Sequence, residues 1–354
     1  MTATPRPSPV ESRRASPLPL LAADVGGTHV RVGLVRPDAD PAQPLPVFAY
    51  RKFPCADYPS LTDIIEAFIN DLGGEQIEEG AIACAGFALN GGGPDDDALI
   101  SVNLPWPVSP REIRERLGFR ALHLVNDFEA VAHATVEMDA SEVLHLSGPS
   151  SVAPGPTLVA GPGTGFGAAV WIPAPRGPVV LATEAGQAAL VAGNELELAL
   201  LAELLREHDH VSVEYALSGP GLLRLHAALC RLHGRASHYR EPGEITAAAL
   251  SGVDPDARAS LEAFCGLLGG TIGDMALLYG IQGGIYLAGG ILPQLRDFLP
   301  QSSFVARFLN KGAMRQALER IPVKLVEHGR LGVIGAARWY LDRRQDGRVM
   351  QGDP

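Results

Sequence analysis

The sequence predicts an α/β protein built as two related halves, and three observations predict it. The first is an echo. "LAADVGGTHVRVGLV" and "TLVAGPGTGFGAAVWI" share one plan of apolar strand, glycine-threonine turn and apolar strand, 137 residues apart from Gly26 to Gly163. The second is alternation, because strand-like runs are followed by amphipathic or buried helical runs along most of the chain, as α/β folds require. The third is size. At 354 residues with 46% hydrophobic content there is material for two cores.

Taken in order, residues 1–17, "MTATPRPSPVESRRASP", are rich in Pro, Ser and Arg and read as a disordered tail. A signal peptide is the rival reading. It is rejected because the apolar stretch "LPLLAADV" is short and runs into the glycine turn. "SLTDIIEAFINDLGG" reads as a helix capped by Ser60 with Asp63 and ended by Gly73, with Ile64, Ile65, Phe68, Ile69 and Leu72 as its apolar stripe. "ALNGGGPDDDAL" (88–99) is a polar loop or hairpin tip. "SPREIRERLGF" has Ser109 as N-cap, Pro110 at N1 and Glu112 closing a capping box. "ALHLVNDF" is a strand that opens a helix, and an aspartate in that place is most often the helix cap. "GNELELALLAELLREH" and "PGLLRLHAALCRLHG" are amphipathic helices, and "DPDARASLEAFCGLLGGTIGDMALLYG" is a long buried one. "GGIYLAGGI" and "IPVKLVEH" are strands, and "LGVIGAARWYLDRR" is the last helix.

Several classes are excluded as expectations. A net charge of −11 argues against nucleic acid, which needs a basic face. No uninterrupted apolar run reaches the length of a membrane span. The four cysteines, Cys55, Cys84, Cys230 and Cys265, form no Cys-x-x-Cys pair and read as reduced core residues of a cytoplasmic protein.

The glycine turns carry chemistry. Bare turns let a ligand approach the backbone, and their N–H groups form anion nests. Gly26, Gly27 and Thr28 form one turn, and Gly163, Thr164 and Gly165 the other. Two such clips beside one carboxylate, Asp24, suit ATP with Mg²⁺, which Asp24 would hold through water. There is no G-x-x-x-x-G-K-[ST] sequence, so this is not a P-loop. Gly289 and Gly290 in "LAGGI" are a third glycine site at a strand end, placed to take adenosine. Asp127 in "VNDF" is placed as a general base beside Asn126, which can bond adjacent hydroxyls. Glu184 and Glu214 stand in loops, where carboxylates suit vicinal sugar hydroxyls.

In this order and spacing, "DVGGT", "VNDF", "GPGTGFG", "EAG", "VSVEYALSGPG" and "LAGGI" resemble the bacterial ATP-dependent glucokinases, from about residue 19 to 342. The resemblance implies the actin-like ATPase (ribonuclease H-like) fold, with two α/β domains, a ligand cleft between them and a homodimer. It implies a small domain over 18–136, a large domain over 137–328, a helix at 329–344 that returns to the small domain, and a tail over 345–354. It implies ATP-dependent phosphorylation of glucose in glycolysis, with Asp127 as base. Asn103, Asn126, Glu184, Gln187 and Glu214 would hold the sugar. Asp24 would hold Mg²⁺, and the glycine turns would hold ATP.

Departures gather on the sugar side. His29 stands for the family's Asn, "GFALNGG" for a Pro-containing turn, and Glu184-Ala185-Gly186-Gln187 for Glu-Gly-Gly-His. Gln187 therefore replaces a histidine ligand. His29 is expected to be structural. The zinc-binding cysteine cluster of the related ROK sugar kinases is absent. Two further readings stay open: a degenerate or regulatory sugar-binding homologue or a kinase for another hexose, and an actin- or Hsp70-like ATPase.

Overall fold

The first glycine turn joins β1 (Leu20–Val25) to β2 (His29–Val35) as an antiparallel hairpin, and β3 (Val47–Pro54) continues outward from β2. On its other side β1 runs parallel to β4 (Glu79–Cys84), which runs parallel to β7 (Ala121–Asn126). The order is β3-β2-β1-β4-β7. The second glycine turn repeats the plan. It joins β9 (Thr157–Pro162) to β10 (Phe166–Ile172), with β11 (Val179–Thr183) outward and parallel β12 (Gly284–Leu287) and β13 (Val323–Val326) beyond. That sheet runs β11-β10-β9-β12-β13, with β8 (Val143–Ser147) added antiparallel at the far edge. The sequence echo is thus a duplicated topology. Strands β5 (Phe87–Ala88) and β6 (Leu99–Ile100) pair antiparallel in a separate sheet, and residues 89–98 of the expected polar loop or hairpin tip lie outside the described residues. This computed structural model describes residues 18–37, 45–73, 75–85, 87–88, 99–100, 104–135, 138, 142–175, 177–326 and 329–345.

β1 is buried on both faces, and its period-2 alternation shows why. Leu21, Ala23 and Val25 pack under α1 (Leu61–Asp71) and α2 (Pro110–Leu117), against Ile64, Ile65, Phe68 and Ile113. Leu20 and Ala22 pack against Val333, Ala336, Ala337 and Tyr340 of α11 (Leu331–Gln345). Fully burying each large side chain contributes roughly 1.5–3 kcal/mol. Ser60 caps α1 by accepting from the Asp63 N–H, and Ser109 caps α2 by accepting from the Glu112 N–H. The Glu112 carboxylate accepts from Thr62 Oγ1 at 3.2 Å, so it ties α2 to α1 where a capping-box role was expected.

The second sheet is covered by α4 (Glu195–Leu204), α5 (Val213–Ala216), α6 (Gly219–Leu232), α7 (Pro242–Ser251) and α8 (Pro255–Leu278), with short α9 (Phe304–Phe308) and α10 (Arg315–Leu318) beyond. Leu158 and Ala160 of β9 face this layer. Helix α8 has the length and hydropathy of a membrane span, although charged residues interrupt its apolar sequence. Its apolar window is 78% buried in the protein, so core packing accounts for its composition. All four cysteines are buried free thiols.

Helix α3 (Asp127–Thr135) lies between the two sheets. Ala130 meets the β1–α11 core, while Ala132 and Ala134 join Val159 of β9 and Ala169 of β10. Gly335 in α11 has no side chain because a Cβ there would run into the Ala130 carbonyl. The interhelical approach is therefore set by a backbone contact.

Candidate functional site

The site assembles at the C-terminal ends of the parallel strands, where α/β sheets leave room for ligands. Asp24, Ala83 and Val125 are in register across β1, β4 and β7. The backbones of β1 and β7 are therefore roughly 10 Å apart with β4 between them. Asn126 ends β7, and Asp127 begins α3.

The capping of α3 departs from the sequence expectation. Asn126 Oδ1 accepts from the N–H groups of Phe128 and Glu129, both at 3.0 Å, so Asn126 is the cap. Asp127 occupies the first helical position, and its Oδ1 accepts from the Phe128 N–H at 2.8 Å. Burial pushes the Asp127 carboxyl up to about 7, with the charge of Asp24 adding to it and Glu184 adding less. A carboxylate tuned to that range is suited to accept a proton near neutral pH. The next residue, Phe128, sits over Gly167 of β10, where any Cβ would enter its ring. The Asp127 turn is thereby seated on the second hairpin.

Asp24 is paired with Arg31, Oδ2 to Nη1 at 3.1 Å. The two are register partners across the β1–β2 hairpin. Burial raises the Asp24 carboxyl, and Arg31 opposes that rise. The first turn of α11 comes so close that a Cβ on Gly332 would meet the Asp24 carboxylate. Cys84, beneath the site in register with Val25 and Asn126, is pushed up to about 12 by burial, with Asp127 and Asp24 adding.

Each glycine turn spends its first amide internally. Gly26 N donates to His29 O at 3.0 Å, and Gly163 N donates to Gly165 O at 2.8 Å. Those two amides are therefore not free for a ligand, contrary to the expectation of wholly bare turns. Among the described residues, the amides of Gly27, Thr28, Thr164 and Gly165 have no protein partner. Cys55 holds the first turn from below, its N–H on Thr28 O at 2.9 Å and its Sγ on Gly26 O at 3.3 Å. His29 is half-buried, and its Nδ1 lies 3.1 Å from Thr28 Oγ1. It belongs to this turn as well as to the strand.

The third glycine site meets the second turn. A Cβ on Gly163 would lie 3.9 Å from Gly290 N, and Gly290 itself faces open space. Gly289 has φ +150° and abuts the Pro162 carbonyl. The N-terminus of α6 arrives there too, with Gly219 N donating to Gly163 O at 2.9 Å. Among the described residues no group of three or more His, Cys, Asp or Glu is arranged to hold a metal. One carboxylate beside open amides fits Mg²⁺ carried with nucleotide phosphates, because that ion keeps most of its water.

Beyond the second hairpin, Glu184 follows β11 and opens a short 3-10 turn through Gln187. Gly186 backs onto the Phe166 carbonyl, with no room for a Cβ. Phe166 N donates to Glu214 Oε2 at 2.8 Å, and Gln187 Nε2 donates to Glu214 Oε1 at 3.2 Å. Burial raises the Glu184 carboxyl, and Glu214 adds to this. Glu184, Gln187 and Glu214 are thus brought together. Asn103 lies outside the described residues. Sequence reasoning missed Arg31, Gly332, Gly219 and Cys55 as neighbours of the site.

The family profile for glucokinase matches residues 21–343. The chain belongs to the glucokinase family. A glucokinase-like protein of Xylella fastidiosa (strain Temecula1) is 49% identical over 95% of this chain and 99% of its own length. A glucokinase of Chromohalobacter salexigens is 40% identical over 90% of this chain and 96% of its own. The crystal structure of a glucokinase from an Antarctic psychrotroph superposes with a TM-score of 0.76 at 33% identity, covering 91% and 98% of the two chains. A ROK family glucokinase from Streptomyces griseus, in complex with glucose and AMPPNP, shares the fold at a TM-score of 0.61 and 21% identity. The fold of this glucokinase-family chain is that of the actin-like ATPases, as the sequence implied.

Proposed function

We propose that this chain transfers the γ-phosphoryl group of ATP to the 6-hydroxyl of D-glucose. The observation that carries the reading is the state of Asp127. Asn126 does the capping, and burial raises the Asp127 carboxyl to about 7, with the charge of Asp24 adding to it. In this reading Asp127 accepts the hydroxyl proton as the oxygen attacks phosphorus. Asn126, Glu184, Gln187 and Glu214 hold the sugar, and Asn103 joins them as a ligand that the family motif implies. Gly26, Gly27, Thr28, Gly163, Thr164 and Gly165 border the phosphates, and Gly289 and Gly290 border the adenosine. Mg²⁺ held near Asp24 would neutralise phosphate charge. The cleft lies between a small domain over 18–136 and a large domain over 137–328, in a cytoplasmic homodimer. Family membership and the glucokinase relatives support the reading.

The test is glucose-dependent ADP release across a panel of glucose, mannose, galactose and fructose with ATP and Mg²⁺. Glucose is expected to give the highest kcat/KM. If no hexose stimulates ADP release, a regulatory sugar-binding role replaces the kinase.

One observation favours weaker or broader sugar recognition. The Gln187 amide is spent on Glu214, whereas the family motif offers a histidine to the sugar. A neutral hydrogen bond contributes about 0.5–1.5 kcal/mol, or roughly 2- to 12-fold in affinity. Gln187→His is therefore expected to lower the glucose KM several-fold, and adding Ala185→Gly to lower it further. Initial-rate measurements against glucose check this. An unchanged KM in both variants places the recognition defect elsewhere.

A further inference from the structure

Residues 208–215 run alongside the sugar-side turn and clip onto it. Val213 N donates to Ala188 O at 2.8 Å, and Leu190 N donates to Val211 O at 2.9 Å. Ala189 and Ser212 form an antiparallel bridge between these bonds. His210, two residues before the bridge, has its Nε2 2.9 Å from the Gln187 carbonyl oxygen. The His208 ring packs on Tyr215 with centroids 4.5 Å apart, and Arg224 covers the Tyr215 ring at 4.2 Å. Glu214 is carried inside the clip.

Four bonds therefore tie residues 187–190 to 210–214: two from the main chain, one from an imidazole and the direct bond between the Gln187 and Glu214 side chains. The main-chain pair holds residues 188–190, and the turn at 185–187 is tied back to β11 by the Ala185 N–H on Thr183 Oγ1 at 3.3 Å. That turn is a single 3-10 turn, closed by the Gln187 N–H on Glu184 O at 2.9 Å. A second bond, from the Ala188 N–H to Ala185 O at 3.2 Å, holds the N–H side of the 187–188 peptide. The His210 ring, donating from Nε2, holds the carbonyl side of the same peptide. A trans peptide has its carbonyl and N–H on opposite sides, so the 187–188 peptide is pinned from both, by His210 on one side and Ala185 O on the other. The Gln187 side chain is then directed to Glu214, where the 3.2 Å bond is observed.

We propose that His210 is a positioning residue for sugar recognition: it latches the 184–187 turn onto the 210–214 segment, so that Glu184, Gln187 and Glu214 present one surface to the hexose. The inference rests on the proposed hexose-kinase reading for its substrate, while its geometry stands on the bonds above. His210 does not touch the sugar. Its loss leaves the residues of the sugar site in place and frees the turn that aligns them.

The test compares wild type, His210→Ala and His210→Gln in the full chain. Glutamine places an amide nitrogen the same number of bonds from the backbone as Nε2, so it can restore the donor. Removing one neutral hydrogen bond is expected to raise the glucose KM of His210→Ala by roughly 3- to 10-fold, with the ATP KM within about twofold of wild type. His210→Gln is expected to recover most of the loss. Amide hydrogen exchange, which needs no turnover, is read in parallel on peptides spanning 184–190 and 211–214. His210→Ala is expected to exchange faster there and unchanged in β1 and β4. If wild type phosphorylates no hexose, the functional reading fails and the exchange arm alone decides on the latch. Unchanged exchange in His210→Ala overturns the latch, as does an ATP KM that rises in step with that of glucose, or a glutamine variant as impaired as alanine.

Discussion

Asp127→Asn is expected to lower kcat by roughly 10²–10⁴-fold, the contribution of a general base, while ATP binding stays close to wild type. The amide keeps the shape of the carboxylate, and its oxygen can still accept from the Phe128 N–H, as Asp127 Oδ1 does at 2.8 Å. The same variant is expected to be more stable than wild type at pH 8. Asp127 is raised in the folded protein to about 7 from 3.8, by burial first and Asp24 second. Between those values the folded chain binds more protons than the unfolded chain, so stability falls as pH rises through the window. Above pH 7 the ionised carboxylate carries its full cost, discounted to about 1–3 kcal/mol because solvent reaches part of the group. Asparagine removes that pH dependence. Thermal melts at pH 5 and pH 8, read with steady-state kinetics, check both halves. A variant that keeps more than half of the wild-type kcat removes Asp127 from the chemistry. A melt difference that does not grow with pH contradicts the raised carboxyl.

Gly289→Ala and Gly290→Ala are expected to differ sharply although they are neighbours. Gly289 has φ +150°, and a Cβ there would run into the Pro162 carbonyl. Gly161, at φ +158°, makes the reciprocal approach to the Ala288 carbonyl. The ends of β9 and β12 therefore meet backbone to backbone. Alanine at 289 adds backbone strain of about 1–3 kcal/mol and overpacking of about 1–3 kcal/mol, for about 2–6 kcal/mol of stability. Because Pro162 leads into the turn at Gly163–Gly165, ATP affinity is expected to fall as well. Gly290 faces open space within 4 Å, so its alanine variant is expected to melt like wild type. It should still raise the ATP KM several-fold by filling space that the nucleotide needs. Denaturant unfolding and ATP titration separate the two effects. A Gly290→Ala enzyme with an unchanged ATP KM reduces this third glycine site to a turn.

The architecture was readable because its signals are local. A glycine turn between two apolar runs dictates a hairpin, and its recurrence at 163 announced the duplicated sheet. The Asp24–Arg31 pair was also within reach. A turn centred between Gly27 and Thr28 places those residues opposite each other. What sequence could not supply came from distant segments. The contact of Gly332 with Asp24 depends on a helix more than 300 residues downstream returning to β1. The His210 bond to Gln187 depends on a two-residue bridge with no periodicity to mark it. The α3 cap was misread because Asn126 and Asp127 are both good caps, and which one acts is decided by where β7 ends. Gly167 and Gly186 look like ordinary strand and loop glycines, and only the approach of Phe128 and Phe166 explains them.

The central claim is phosphoryl transfer from ATP to the sugar 6-hydroxyl with Asp127 as base. Its most direct test is a ³¹P NMR time course of the wild-type chain with ATP, Mg²⁺ and glucose at pH 8. The account predicts loss of the γ-phosphorus signal matched by growth of a phosphomonoester identified as glucose 6-phosphate, with no build-up of inorganic phosphate. Growth of inorganic phosphate alone, or an unchanged spectrum under conditions where a control glucokinase goes to completion, would contradict it.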